Sequence, residues 1–279
     1  MHYKSLLVHV DSDPRSAVRL RLAVELAERF DARITGLFVA LAPTFSDPVA
    51  DVSQASLYEV LLAERRRAAK AARETFERET AGFDPQRLEW REHVGMPIHT
   101  TCQHARYHDL VVLGQANPDI QIDGLPASFP EDVVCASCRP ALIVPYRGEF
   151  SRIGRRILVG WNTSNEATRA ITDALPLLQG AERTTVLTAD PENSGDDHGQ
   201  QPGADIALYL ARHGAKVEVR TQKSSGRDAG EVLLDVANIA EDDLIVMGLY
   251  GHSRMREQIL GGASRTVLRH MTLPLLVSH

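Results

Sequence analysis

The stretch GLYGHSRMREQILGGASRTVL, residues 248–268, holds four glycines and no aspartate. It lies between two apolar runs, Leu244-Ile245-Val246-Met247 and Pro274-Leu275-Leu276-Val277. Gly248 and Gly251 let a backbone turn tightly, because glycine reaches positive φ without a steric cost. Nine residues then separate Gly251 from Gly261, and Gly261-Gly262-Ala263-Ser264 opens a helical run over 265–270. Small residues at a helix start leave backbone N–H groups free to face an anion. Ser264 reads as a cap for that helix or as a hydroxyl donor to a phosphate. Arg254, Arg256 and Arg265 read either as phosphate ligands or as a solvated loop face. The chemistry this suits is a phosphate cradle made of backbone rather than of lysine. It is not a Walker A loop, which needs Gly-Lys-Ser/Thr, nor a GxGxxG turn after a first strand.

Such a cradle must be held at the carboxyl end of a strand, and the chain supplies one twice. Leu6-Leu7-Val8-His9-Val10-Asp11 opens the first half and Ile157-Leu158-Val159-Gly160-Trp161-Asn162 the second. Each is followed by a helical pattern: Ala17, Leu20, Ala23, Val24 and Ala27, then Ala167, Ala170, Ile171, Ala174 and Leu175. Further on the halves match without a gap, from Gly114 to Pro140 and from Gly248 to Pro274, with Asp109 and Asp243 opening the preceding strands. This is a duplicated unit. The expected strands lie at 4–10, 33–40, 87–93, 109–114 and 141–145, then 156–161, 183–189, 216–221, 243–248 and 274–278, with a long helix over 53–81. Strands alternating with helices predict an α/β fold of two tandem doubly wound parallel-sheet domains, residues 1–147 and 154–279. The polar segment 190–203 is expected to be a mobile loop. In such sheets ligands sit at the carboxyl ends of strands, where strand order reverses.

Gly248-x2-Gly251-x9-Gly261 followed by small residues resembles the ATP-binding motif of the universal stress proteins, and the resemblance covers both halves, as in a tandem member. It implies a Rossmann-like domain of five parallel strands in the order 3-2-1-4-5 and a stress-response role; cytoplasmic localisation is expected from the lack of a bilayer-spanning run and of a signal-peptide pattern. By that resemblance the nucleotide site comprises Asn162, Thr163, Ala189, Met247, Gly248, Tyr250, Gly251, Gly261, Gly262, Ala263 and Ser264. Ala189 borders the adenine. The cofactor is ATP, with or without Mg2+. Two positions depart from the family pattern: Gly262 stands where Ser or Thr is usual, and Asn162 where Asp is usual. Asparagine still donates and accepts hydrogen bonds. By the family's strand order the fifth strands are edges. Their pairing within one chain makes an internal pseudo-dimer, and an additional homodimer is left open.

The first half is a control. Gly114 keeps the first glycine, and Asn117 replaces the second, as a residue that tolerates the left-handed region. Ala127, Ser128, Phe129 and Pro130 stand at the positions of Gly261, Gly262, Ala263 and Ser264. Pro130 has no N–H, and Asp119 and Asp123 add negative charge, although Asp11 keeps the acid. The N-terminal loop is therefore expected to be degenerate and the C-terminal one to be the nucleotide site.

A net charge of −6 argues against a nucleic-acid partner or an anionic membrane surface. No apolar run is long enough to span a bilayer, and the start of the chain lacks a signal-peptide pattern. Of three cysteines, Cys135 and Cys138 form a CxxC, a redox pair or half a metal site in one reading and two reduced thiols on a helical turn in the simpler one. His93, His99, His104 and His108 cluster without a metal-ligand pattern, His104 and His108 on one helix face. No metal site and no catalytic residue is expected. The leading reading is a regulatory protein that binds an adenine nucleotide and couples it to a protein partner the sequence does not name. The alternatives are a slow ATPase or autophosphorylating enzyme, with Ser264 or Thr266 as acceptor, and a scaffold that has lost the nucleotide.

Overall fold

The computed structural model describes residues 2–41, 52–120, 122, 124–190, 201–250 and 262–279, and for 52–58 the backbone only. In the first half the strands are β1 (Ser5–His9), β2 (Arg33–Leu41), β3 (Leu88–Gly95), β4 (Leu110–Gly114) and β5 (Ala141–Val144). The helices between them are α1 (Ser16–Phe30), α2 (Val52–Glu79), α3 (Pro97–Ala105) and α4 (Phe129–Ser137). The second half repeats the plan with β6 (Arg156–Gly160), α5 (Asn165–Gly180), β7 (Arg183–Ala189), α6 (Ala204–Arg212), β8 (Val217–Gln222), α7 (Ala229–Ile239), β9 (Leu244–Gly248), α8 (Ala263–His270) and β10 (Leu275–Ser278). A short 3-10 turn at Pro85–Arg87, which the residue pattern does not signal, leads into β3.

All ten strands form one sheet, ordered β3-β2-β1-β4-β5-β10-β9-β6-β7-β8. Each half thus has the order 3-2-1-4-5. Pairing is parallel within each half. The halves join where β5 and β10 run antiparallel, with Leu275 opposite Ile143, Leu276 opposite Leu142 and Val277 opposite Ala141. These six side chains are buried, so the seam is continuous with the core rather than a wet contact between domains.

The central strands are uninterrupted apolar runs because helices cover both faces. On one face α1, α2, α5 and α6 pack through residues such as Leu22, Phe76, Ile171 and Leu210. On the other, α3, α4, α7 and α8 pack through Ala105, Val133, Val236 and Val267. The outer strands β3 and β8 carry charge on exposed positions, including Glu92 and Arg220, which blunts the two sheet edges. The matching aspartates have one job in both halves. Asp109 accepts the N–H groups of Lys4 and Ser5, and Asp243 those of Gly154, Arg155 and Arg156. Each anchors the entry to the first strand of its own half.

Three local expectations are corrected. Gly248 has no positive φ. It is glycine because an added Cβ would stand 2.4 Å from the backbone nitrogen of Ala167 and 2.5 Å from the carbonyl carbon of Glu166. Asn117 is likewise outside the left-handed region; its side chain accepts the Asp119 N–H and turns the chain that way. His108 lies beyond the end of α3, with Nδ1 2.8 Å from the His104 carbonyl oxygen, so the two histidines do not share a helix face. The segment 191–200 lies outside the described residues.

Candidate functional site

The carboxyl ends of β6 and β9 and the start of α8 come together as the repeat requires. After β6, Asn162 accepts the Ser164 N–H through Oδ1 at 3.3 Å. Thr163 takes a positive φ of 63°, and Ser164 caps α5 by accepting the Ala167 N–H at 3.1 Å. This tight turn lets α5 close onto Gly248. Asn162 is half-buried, and its Nδ2 donor has no hydrogen bond among the described residues. Ala189 ends β7 half-buried. The next residue, Asp190, accepts both the N–H and the hydroxyl of Ser224.

At the start of α8 the cap is Gly262, in extended backbone (φ −53°, ψ 157°), with no side-chain cap. Ser264 is therefore not the cap. It is buried, and its Oγ accepts the Tyr250 N–H at 3.0 Å, pinning the loop's first residues to the helix that ends it. Arg265 and Thr266 donate their N–H groups back to the Gly262 carbonyl. The Ala263 and Ser264 N–H groups have no partner among the described residues. Two expected site residues face elsewhere. Met247 is buried in the core beside Leu233 and Val236. Tyr250 sends its hydroxyl across the seam to donate to Glu131 of α4. Gly251 and Gly261, with Arg254 and Arg256, lie outside the described residues.

The equivalent helix start in the first half has the opposite electrostatics. α4 is capped at Ser128, has proline in its first turn, and carries Glu131 and Asp132 there; Ser128 donates its hydroxyl to Asp132 at 2.7 Å. Arg265 and Thr266 stand at those two positions in α8, which has no acidic residue in its first turn. A helix N-terminus is stabilised by negative charge. α4 supplies that charge from its own side chains, and α8 does not.

Below α4 lies a feature the residue pattern did not reveal. Asp11, Ser16 and Arg19 form a buried network with His9. Arg19 donates Nη2–H to Asp11 Oδ1 at 2.7 Å and to Ser16 Oγ at 2.6 Å, and Nε–H to the His9 carbonyl at 3.1 Å. His9 Nδ1 stands 3.4 Å from Asp11 Oδ2. Burial alone would raise the Asp11 pKa. The Arg19 guanidinium, with His9 and Ser16, instead holds it well below the usual carboxylate range. The repeat contained the signal: strand register sets Leu6 opposite Leu110 and Ile157 opposite Leu244, which aligns Arg19 with Ala170. An arginine thus sits on a helix position that is apolar in the other copy.

His93 and His104 come together, their ring centroids 4.6 Å apart, and the cysteines form no disulfide. Cys102 is buried, Cys135 half-buried and Cys138 exposed, and Cys138 ends α4 in the left-handed region. Among the described residues no cluster of three or more metal-ligating side chains occurs. No described helix is long and apolar enough to cross a membrane.

Two doubly wound halves sharing one sheet, each with a helix start following its fourth strand, define a tandem α/β protein. The family model for the universal stress protein family matches residues 2–145 and 154–279, and the chain belongs to that family. A universal stress protein from Archaeoglobus fulgidus DSM 4304 is similar over 98% of this chain and 95% of its own, with a TM-score of 0.70 at 17% identity. The functionally unknown protein PA1789 from Pseudomonas aeruginosa PAO1 is similar over 99% of this chain and 92% of its own, with a TM-score of 0.57 at 15% identity. UspA from Lactobacillus plantarum is 26% identical, covering 53% of this chain and 99% of its own, with a TM-score of 0.42. The first two likenesses show the fold. No curated protein matches the chain.

Proposed function

We propose that this universal stress protein is a regulatory ATP-binding protein whose nucleotide site lies in the C-terminal half. The observation that supports it is the contrast between two aligned helix starts. α4 neutralises its own N-terminus with Glu131 and Asp132, whereas the Ala263 and Ser264 N–H groups of α8, beside Arg265, have no partner among the described residues. An anionic phosphate complements the second arrangement and is repelled by the first. In this reading Gly262, Ala263 and Ser264 hold phosphate, with Gly251 and Gly261 in the intervening loop. Asn162 and Thr163 offer polar contacts to the ribose, and Ala189 borders the base. Gly248 serves the fold by admitting α5, and Met247 supports the strand from within the core. The residues present fit a nucleotide at this edge, with Mg2+ as an accompanying ion.

Binding rather than turnover is favoured by Ser264. It is 3% exposed and its oxygen already accepts the Tyr250 N–H, so it is poorly placed as a phosphate acceptor. The Tyr250 bond to Glu131 ties the edge to the first half, a route by which occupancy would reach a protein partner or a second copy of the chain. The test is incubation of the full chain with γ-labelled ATP. Stoichiometric, reversible binding without retained label supports the reading. Label retained on the protein, or phosphate released over many turnovers, replaces it with an enzymatic one, and no binding leaves a scaffold.

A further inference from the structure

The first half contains a cavity of about 330 Å³ at its own strand ends, lined by polar His9, Asp11, Asp13 and Arg19 and by apolar Ile120, Leu125 and Phe129. Two of its polar groups are unspent. Arg19 is 3% exposed; its Nε and Nη2 are fully engaged, but Nη1 has no hydrogen bond among the described residues and lies against Gly114, where an added Cβ would be 2.3 Å away. Asp13 is 8% exposed, and its Oδ1 accepts the Arg15 N–H while Oδ2 has no partner among the described residues. The cavity thus presents a buried cationic donor and a buried anionic acceptor beside an apolar wall. The fold does not require this arrangement: Ala170 and Asn162 stand at the Arg19 and Asp11 positions in the second half, where α5 packs directly on Gly248. Arg19 and Asp13 both line the cavity, and an opposed donor and acceptor without a partner among the described residues point to a ligand between them.

The charges also set the ligand's class. Asp11 and Arg19 cancel, which leaves Asp13 in the lining and, in the first turn of α4 whose Phe129 and Pro130 line the cavity, Glu131 and Asp132. Pro130, in the same turn, has no N–H. A phosphate entering here meets carboxylates and no free helix N–H at Pro130. A molecule with no net charge escapes that repulsion and still satisfies both buried groups. We propose that this cavity is a second ligand site. It takes a small molecule of zero net charge that offers an acceptor to Arg19, a donor to Asp13 and an apolar body to Ile120, Leu125 and Phe129. A nucleoside without phosphate and an amino-acid zwitterion both have this chemistry.

The test is calorimetric titration of the full chain with adenosine, L-leucine, AMP and ATP, in the wild type and in two variants. Ala127→Trp adds bulk at an exposed lining residue of the cavity, and Asp13→Asn removes the charge while keeping an acceptor for the Arg15 N–H. The expected result is that adenosine or leucine binds, that Ala127→Trp abolishes this binding, and that Asp13→Asn weakens it at least ten-fold. The wild-type heat lost in Ala127→Trp should fall at least ten-fold from adenosine to AMP if adenosine is the occupant, and be absent for AMP and ATP if leucine is. ATP binding that is insensitive to Ala127→Trp belongs to the other half and leaves the proposal standing. Absence of binding by both neutral probes overturns it, as does neutral binding that survives Ala127→Trp, or ATP binding that Ala127→Trp removes.

Discussion

Gly248 and Ala167 are in contact through their backbones: a methyl group on Gly248 would lie 2.4 Å from the Ala167 nitrogen. The first glycine of the loop is therefore fixed by how α5 closes on β9, whatever the loop binds. Its counterpart Gly114 meets a side chain instead, the Arg19 guanidinium. One position in the duplicated unit is thus glycine for two different reasons.

Replacing Gly248 with alanine forces α5 away from the sheet, and overpacking of this kind costs about 1–3 kcal/mol. Gly114→Ala meets only the movable end of Arg19, but displacing that end disrupts its bonds to Asp11. Urea unfolding of both variants should show a clear loss of stability. A Gly248→Ala variant as stable as the wild type would show that α5 is not seated as described.

The Asp11–Arg19 pair makes the first half sensitive to acid. The Asp11 pKa is lowered on folding, so the unfolded chain takes up the proton first. The pair's contribution is complete above the ordinary aspartate range near 4 and is lost as pH falls toward the folded value. Stability should therefore rise with pH across that window, and Asp11→Asn should flatten the slope. Arg19→Ala leaves a buried carboxylate without its partner and should cost about 3–5 kcal/mol. Unfolding midpoints measured from pH 2.5 to about 5 check both signs.

Gln115 stitches the seam. Its amide donates to the Leu268 and Arg269 carbonyls at the end of α8, at 2.8 and 3.3 Å, and its carbonyl accepts the Tyr146 N–H. Gln115→Leu keeps the bulk but strands these groups, a loss of about 1–3 kcal/mol. Tyr250→Phe removes the bond to Glu131 and should cost roughly 1 kcal/mol. Both should be additive with Gly248→Ala only in part, because all three act on elements around the same loop.

The fold was legible because the chain states it twice. Apolar runs of strand length, the ungapped match from Gly114 and Gly248 to their prolines, and the paired aspartates all reappear as structure, and the strand order is the one the family resemblance implies. The helix after the second glycine pair was legible for the same reason, although the pattern sets it at 265–270 and it begins at Ala263. What the residue types did not reveal depends on three-dimensional approach. Gly248 reads as a turn former, yet its role is to admit a helix backbone from another part of the chain. Ser264 reads as a cap because of its place beside a helix, but its oxygen is taken by Tyr250. Met247 and Tyr250 adjoin the glycine loop in sequence, but Met247 is buried in the core and the Tyr250 hydroxyl donates to Glu131. Arg19 was visible only by comparing the copies, where it faces Ala170.

The central claim concerns the backbone N–H groups at the start of α8, and Ala263→Pro addresses them alone. Proline is tolerated at the first helical position, and Gly262, with ψ of 157°, already has the conformation a following proline requires. The substitution deletes one N–H and leaves Ser264 and the fold in place. The direct measurement is calorimetric titration of ATP against the full chain and against Ala263→Pro. A hydrogen bond to a charged group contributes about 1.5–3 kcal/mol, so ATP should bind the wild type and bind the variant roughly ten- to a hundred-fold more weakly, with the unfolding midpoint unchanged. Equal ATP affinity in the two proteins, or no binding by the wild type, would contradict the account.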